Sequence, residues 1–231
     1  MINPELDIKS IKEEFKKNKI VIINNIFTED NYNNIHNYFY EFKKKPSNWF
    51  ITFSYYNKKK DIKLQKLTMN EYIYYKKKVK KSFINNNFSF LFYRFNEHVQ
   101  SCTCYKCFLI KYFKSNKFIN FLNNIVDNNI TISNTVFVTK YTKDCFLSIH
   151  TDKRNGKYAF IYNITKYWDP QYGGLLHILE DNRIDIKKVI YPKKNSFVLF
   201  EVPENEGIPH FVSQINPNIN LSRISMTGWY S

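Results

Sequence analysis

The chain has 231 residues, 43% of them hydrophobic, with a net charge of +15 and four cysteines. That suits one domain of ordinary size with a substantial core, and no apolar run of 18 residues predicts a membrane-spanning helix. The N-terminus lacks the basic-then-apolar layout of a secretory leader, so a soluble cytoplasmic or nucleocytoplasmic protein, with no membrane partner, is expected.

An excess of 35 basic over 20 acidic residues would suit a nucleic-acid partner. Asn, Lys, Ile, Tyr and Phe are all abundant, however, and all have AT-rich codons, which raises lysine content without selection for charge. The lysine runs at 43–45, 58–60 and 76–78 read as solvated faces or loops. Charge alone does not favour nucleic acid. The five glycines fall at 156, 173, 174, 207 and 228. Because glycine serves turns that need positive φ, tight turns are expected mainly in the second half.

Leu6, Ile8, Ile11 and Phe15 predict an N-terminal helix, and residues 20–23 a buried strand. Thr28, with acids just after it, predicts the start of a helix that runs through Ile35, Tyr38 and Phe42 and stops before Pro46. A strand is expected at 49–53, an exposed loop around 58–60, a basic helix at 69–81 and an aromatic strand at 88–95. Residues 105–127 predict one or two helices, with Ser115 as an N-cap. From 131 onward the texture changes. Eight short apolar runs, at 136–138, 146–150, 158–162, 175–179, 188–191, 197–200, 210–212 and 224–227, alternate with turn residues. The pattern predicts an α+β chain with a mainly β core, a double-stranded β-helix or jelly-roll barrel. Residues 1–130 are read as a helix-rich support continuous with the barrel, and residues 131–231 as the catalytic core.

His150 and Asp152 lie two apart at the end of an apolar run, so on a strand they face the same way. A barrel can bring His210 opposite them. Two imidazoles and one carboxylate leave open positions on a metal, which suits non-haem Fe(II); zinc hydrolases use the same donors, so the set alone leaves the metal open. Arg223 falls one strand further on and can grip a carboxylate at two points, and Ser225 faces the same way. A second set, His98, Cys102, Cys104 and Cys107, has the ligand count of structural zinc, although the spacing is tight and buried or incidental thiols are the simpler reading. Cys145 reads as a small apolar filler, His177 as a surface or core histidine, and Trp168 as packing at a barrel edge.

The stretch 141–230 resembles the Fe(II)/2-oxoglutarate-dependent oxygenase superfamily, and more closely its prolyl-hydroxylase-like branch, which includes the ribosomal-protein and oxygen-sensing enzymes. The resemblance rests on His150-Thr-Asp152, the run from Ala159 to Trp168, Gly173-Gly-Leu-Leu, the run from Pro192 to Phe200, Pro209-His210 and the run from Arg223 to Trp229. It implies iron at His150, Asp152 and His210. It implies 2-oxoglutarate at Arg223 and Tyr141, with Tyr162 or Asn163 lining that pocket. It also implies O2 as co-substrate, ascorbate as reductant, succinate and CO2 as co-products, and a prolyl residue of a protein or peptide as substrate. Alternatives are a hydroxylase of a free amino acid or other small molecule, a binding module that kept the barrel, and an AlkB-type nucleic-acid demethylase. That last family usually has a second arginine six residues after the first, where this chain has Trp229.

Overall fold

The computed structural model describes residues 1–95, 102–127, 129–203 and 207–231. Helix α1 (Ile8–Asn18) is capped by Asp7, whose side chain accepts from the Ser10 N–H, and strand β1 (Ile20–Ile23) follows. Helix α2 (Glu29–Phe42) opens on Glu29 and Asp30 as expected, but Thr28 makes no side-chain cap. Its hydroxyl accepts from Asn31 Nδ2 at 2.6 Å instead.

Strands β2 (Phe50–Tyr55) and β3 (Lys58–Lys63) form a hairpin in which Tyr55 faces Lys58. The lysine run expected to be a loop is therefore a strand. Tyr56 and Asn57 both have positive φ, the two-residue turn that matches strand twist. A lysine-rich β3 sits at the sheet margin, where charge discourages pairing with another chain. Lys19, Asn25 and Asn86 also adopt positive φ, so the glycine-free half makes its tight turns with asparagine, lysine and tyrosine.

Helix α3 (Met69–Ile84) starts with a reciprocal capping box between Thr68 and Glu71. After β4 (Phe90–Phe95) come α4 (Tyr105–Phe113) and α5 (Asn116–Asn123), the latter capped by Ser115 as its sequence predicts. Eight strands then follow: β5 (Ser133–Tyr141), β6 (Phe146–His150), β7 (Tyr158–Asn163), β8 (Leu176–Leu179), β9 (Ile186–Ile190), β10 (Phe197–Glu201), β11 (His210–Val212) and β12 (Arg223–Tyr230). Among the described residues, no helix is long and apolar enough to cross a membrane.

The strands make one curled antiparallel sheet in the order β1-β10-β7-β12-β5-β4-β6-β11-β8-β9, with β2 and β3 added beside β4. This is the expected jelly-roll. One core lies between the sheet and the helices and takes Val21, Val138, Tyr158, Phe160, Tyr162, Phe197, Leu199 and Met226. The other lies inside the curl and takes Phe137, Tyr141, Ala159, Val198, Phe200 and Leu176. Alternation along β5, β7, β10 and β12 assigns every second residue to each side. Phe113 of α4 links helices to sheet, stacking 5.3 Å from Phe160 and 6.0 Å from Phe197.

Lys140, on the helix side of β5, is 7% exposed, with its ammonium 4.6 Å from the centres of both the Trp49 and Tyr93 rings. Burial, helped by Lys43, pushes it down to about 8, although Cys145 opposes this. The unfolded chain holds the extra proton between pH 8 and the ordinary lysine value near 10.5, so Lys140 makes stability rise with pH across that window. Lys140→Met is expected to stabilise the fold at neutral pH by roughly 1–3 kcal/mol. Denaturant melts of both proteins from pH 7 to 11 check this, and the gap between them should close as pH rises.

Candidate metal and anion site inside the barrel

The curl of the sheet encloses a cavity of about 330 Å³. Strands β6 and β11 pair so that His150 lies directly across from His210, their ring centres 4.2 Å apart. Asp152 sits beyond the end of β6, in a turn closed by the Asn155 N–H donating to the Asp152 carbonyl at 2.9 Å. It is 5% exposed, and His210 is 4% exposed.

The two imidazoles are held in one tautomer. His150 Nδ1 lies 3.0 Å from the Ser148 carbonyl and His210 Nδ1 lies 2.7 Å from the Ile208 carbonyl. A carbonyl only accepts, so each Nδ1 carries a proton, and in the neutral ring each Nε2 then presents the lone pair. Those two Nε2 atoms approach Asp152, at 3.6 Å from Oδ1 and 3.4 Å from Oδ2. Three acceptors facing one another this closely repel unless a cation or a shared proton lies between them. Burial, with the His210 charge, holds the His150 imidazole below its ordinary value, against the pull of Asp152. Burial alone would raise the Asp152 carboxyl, but the two imidazoles facing it outweigh burial and hold the group far below the usual carboxylate range. Two imidazoles that can each present an Nε2 lone pair and an ionised carboxylate make a donor group that could hold a metal ion.

Gly207 sets the backbone around these residues. Its φ is +67°, and a β-carbon there would come 2.7 Å from Cβ of Thr151, the residue between His150 and Asp152.

Further along the cavity wall, β12 turns Arg223, Ser225, Thr227 and Trp229 inward. Arg223 faces Tyr141 across the β12–β5 ladder, with its guanidinium carbon 5.6 Å from the Tyr141 ring centre. Nη1 donates to the Gly174 carbonyl at 2.6 Å, whereas Nε is buried with no hydrogen-bond partner. Burial pushes Arg223 down to about 10, opposed by Tyr141, which leaves it charged at neutral pH. A buried guanidinium with an unmatched donor is the group that a carboxylate would satisfy. Ser225 lines the same wall and exchanges a hydroxyl hydrogen bond with Thr139 at 2.9 Å.

The pair Tyr162 and Asn163 divides between the two sides of β7. Tyr162 faces the helices, its ring 5.0 Å from that of Phe27, and so stands outside the cavity. Asn163 faces the inner side but donates to Ser196 Oγ at 3.0 Å, behind Arg223 rather than on the main cavity wall. His98 of the second ligand set lies outside the described residues. The sulfurs of Cys102, Cys104 and Cys107 do come together. Cys145 is buried, as its filler reading requires. His177 stacks on Phe211 at 4.4 Å, and Trp168 donates to the Gly173 carbonyl at 2.8 Å.

The N-terminal half contributes to the wall in a way the composition alone hides. Phe90 and Phe92 of β4 stack at 4.9 Å, and Phe92 stacks on Tyr141 at 5.4 Å. Phe88 lies 5.5 Å from the His150 ring, and Arg94 and Lys59 complete the opening. Trp229 could have been found from sequence by counting in twos from Arg223. The β4 face had no such anchor.

Residues 136–231 match the model of the 2OG-Fe(II) oxygenase superfamily. Solved structures share the fold of the whole chain. A prolyl-4-hydroxylase from Pseudomonas putida has a TM-score of 0.60 at 10% identity, covering 96% of this chain and 97% of that one. A prolyl hydroxylase from Trichoplax adhaerens, solved with a hypoxia-inducible-factor peptide fragment, has a TM-score of 0.62 at 17% identity, covering 96% and 88%. A 2OG-Fe(II) oxygenase family oxidoreductase from Burkholderia pseudomallei has a TM-score of 0.59 at 10% identity, covering 100% and 93%. A search of curated proteins finds no match.

Gly207→Ala is expected to weaken metal binding by roughly 10- to 100-fold, the usual cost of disturbing the residues that orient metal ligands. Titration with Mn(II), followed by its paramagnetic resonance signal, measures this, with circular dichroism to show that the barrel remains. Residues 136–231 are thus similar to the 2OG-Fe(II) oxygenase superfamily, and the chain shares the jelly-roll fold of solved prolyl hydroxylases.

Proposed function

We propose that the protein is an Fe(II)- and 2-oxoglutarate-dependent dioxygenase that hydroxylates a prolyl residue of a protein or peptide. The observation that carries this reading is the pairing of two sites in one cavity. His150, Asp152 and His210 direct three donors at one point, and Arg223 presents an unmatched buried donor further along the same wall. In this reading His150, Asp152 and His210 hold the iron. Arg223, with Tyr141 and Ser225 beside it, holds the distal carboxylate of 2-oxoglutarate. Bound iron with 2-oxoglutarate and O2 supplies the hydroxylation chemistry, with succinate and CO2 as co-products and ascorbate as the reductant that keeps the iron ferrous.

The chain's own residues would bind, orient and shield. Ser148 and Ile208 carbonyls keep both imidazoles in the ligating tautomer. The Gly174 carbonyl holds Nη1 of Arg223, which lines the cavity. Phe88, Phe90, Phe92 and Trp229 make the wall apolar, which keeps water from the reacting centre and strengthens the Arg223 contact. Residues 131–231 form the catalytic core in this reading, and residues 1–130 support it while giving β4 to the wall. The Trichoplax enzyme, solved with its peptide fragment, supports a peptide substrate by its shared fold alone. We place the activity in the cytoplasm or nucleocytoplasm, where the clustered thiols at 102, 104 and 107 stay reduced.

The test is succinate formation by the full chain with Fe(II), 2-oxoglutarate and O2, with and without proline-containing peptides, and mass analysis of those peptides. Peptide-stimulated succinate with a one-oxygen mass gain on proline is expected, and His150→Ala should reduce it to background. Arg223→Lys keeps the charge but loses the two-point grip. It should raise the 2-oxoglutarate KM by roughly 10- to 100-fold, the cost of one charged hydrogen bond. Turnover on free L-proline and on no peptide would replace the peptide substrate with a small molecule. Absence of iron binding and of succinate would overturn the enzymatic reading.

A further inference from the structure

Outside the barrel, one other group of metal-ligating side chains comes together among the described residues. The sulfurs of Cys102, Cys104 and Cys107 all lie within 4.8 Å of one another, and those of Cys102 and Cys104 are 3.2 Å apart. Cys104 is the N-cap of α4 and Cys107 sits in its first turn, fully buried. Cys102 and Cys104 are partly exposed, so the group opens toward solvent on one side. Lys111, one turn further along α4, donates to the Cys102 carbonyl at 2.8 Å and ties the incoming loop to the helix.

We propose that Cys102, Cys104 and Cys107 bind one thiophilic divalent cation of the zinc class through three thiolate sulfurs. A tetrahedral metal with bonds of about 2.3 Å to sulfur spaces its sulfurs about 3.8 Å apart, which falls inside the observed grouping. Binding converts three thiols and one divalent ion into a tris-thiolate complex and releases three protons to solvent, so affinity rises with pH. The complex carries one net negative charge and keeps a fourth position for water or another donor. Two features of the fold offset that charge. The N-terminal turn of α4 favours anions and thiolates. Lys106, in the same turn and 5% exposed, adds a basic side chain whose ammonium rests 4.0 Å from the Phe95 ring and 4.3 Å from the Phe42 ring.

Cys104 and Cys107 alone have the spacing of a redox pair at a helix start. A pair involves only two of the sulfurs, whereas a metal uses all three, including that of Cys102, 3.2 Å from Cys104. The donor type also separates this site from the cavity, because thiolates select soft and borderline ions while two imidazoles and a carboxylate suit iron. The consequence is structural. The ion would fix the start of α4, whose last residue, Phe113, packs on the sheet and accepts the Tyr230 hydroxyl at 2.8 Å.

The reduced full chain, stripped with a chelator, is titrated with Co(II) and then with Zn(II). One equivalent of Co(II) is expected to give sulfur-to-cobalt charge-transfer absorption, and Zn(II) to bleach it. The bands should survive in His150→Ala and in Cys145→Ser and be lost in Cys104→Ser and Cys107→Ser. Should the serine variants fail to fold, alkylation of the wild-type chain replaces them, with Zn(II) shielding Cys102, Cys104 and Cys107 in peptide mass maps. No sulfur–cobalt band and no shielding, or a Cys104–Cys107 disulfide formed in preference to metal binding, would overturn the proposal. Neither readout depends on turnover, so its outcome is separate from that of the oxygenase assay.

Discussion

The alternation of β12 is the constraint on which the rest of the structure depends. The strand is paired along both edges, with β5 and with β7, so its register is fixed twice. Ile224, Met226 and Tyr230 enter the layer beneath the helices, and Arg223, Ser225, Thr227 and Trp229 enter the cavity. A slip of one residue would exchange the two sets and bury Arg223 among phenylalanines. The aromatic layer of Phe113, Phe160, Phe197 and Tyr230 is therefore more than a source of stability. By holding the outer face of β12 and β7 it decides which residues the inner face can present.

The proposed iron ligands depend on a second pairing, between β6 and β11, which brings together residues 60 positions apart in sequence. Such a contact forms only when the curl closes, so the donor group and the fold are assembled in one step. The backbone then does the orienting. Each histidine lies two residues beyond the carbonyl that its Nδ1 contacts, so the segment that carries each imidazole also orients it. Three acceptors aimed at one point are a cost to the folded chain unless a cation is bound, which links ion binding directly to stability.

The parts of this arrangement with a local signature were legible in the sequence. Apolar runs separated by turn residues mark the eight strands of the barrel, and the two-residue spacing of His150 and Asp152, or of Arg223 and Ser225, carries over to a shared face. Features set by contacts distant in sequence were not legible. Nothing local tells whether Tyr162 or Asn163 faces inward; the pairing of β7 with β10 and β12 decides it. The lysines of β3 have no strand signal of their own and are held by the ladder to β2. Phe90, Phe92 and Arg94 join the cavity because β4 inserts between β5 and β6, a non-local event. Glycine content misleads for turns because asparagine reaches positive φ at modest cost, and Asn25, Asn57 and Asn86 do so here.

Two groups of donors in one short chain raise the question of how each would avoid the other's ion. Affinity order gives no protection, since zinc outranks ferrous iron at most donor sets. Placement and donor chemistry separate the two. The thiol group sits at the start of α4 in a turn that contains a lysine, partly open to solvent. The imidazole and carboxylate donors lie inside the barrel behind an aromatic wall. Thiolates there would favour zinc and other borderline ions. The barrel donors, two imidazoles and a carboxylate, would suit iron where the thiolates would not.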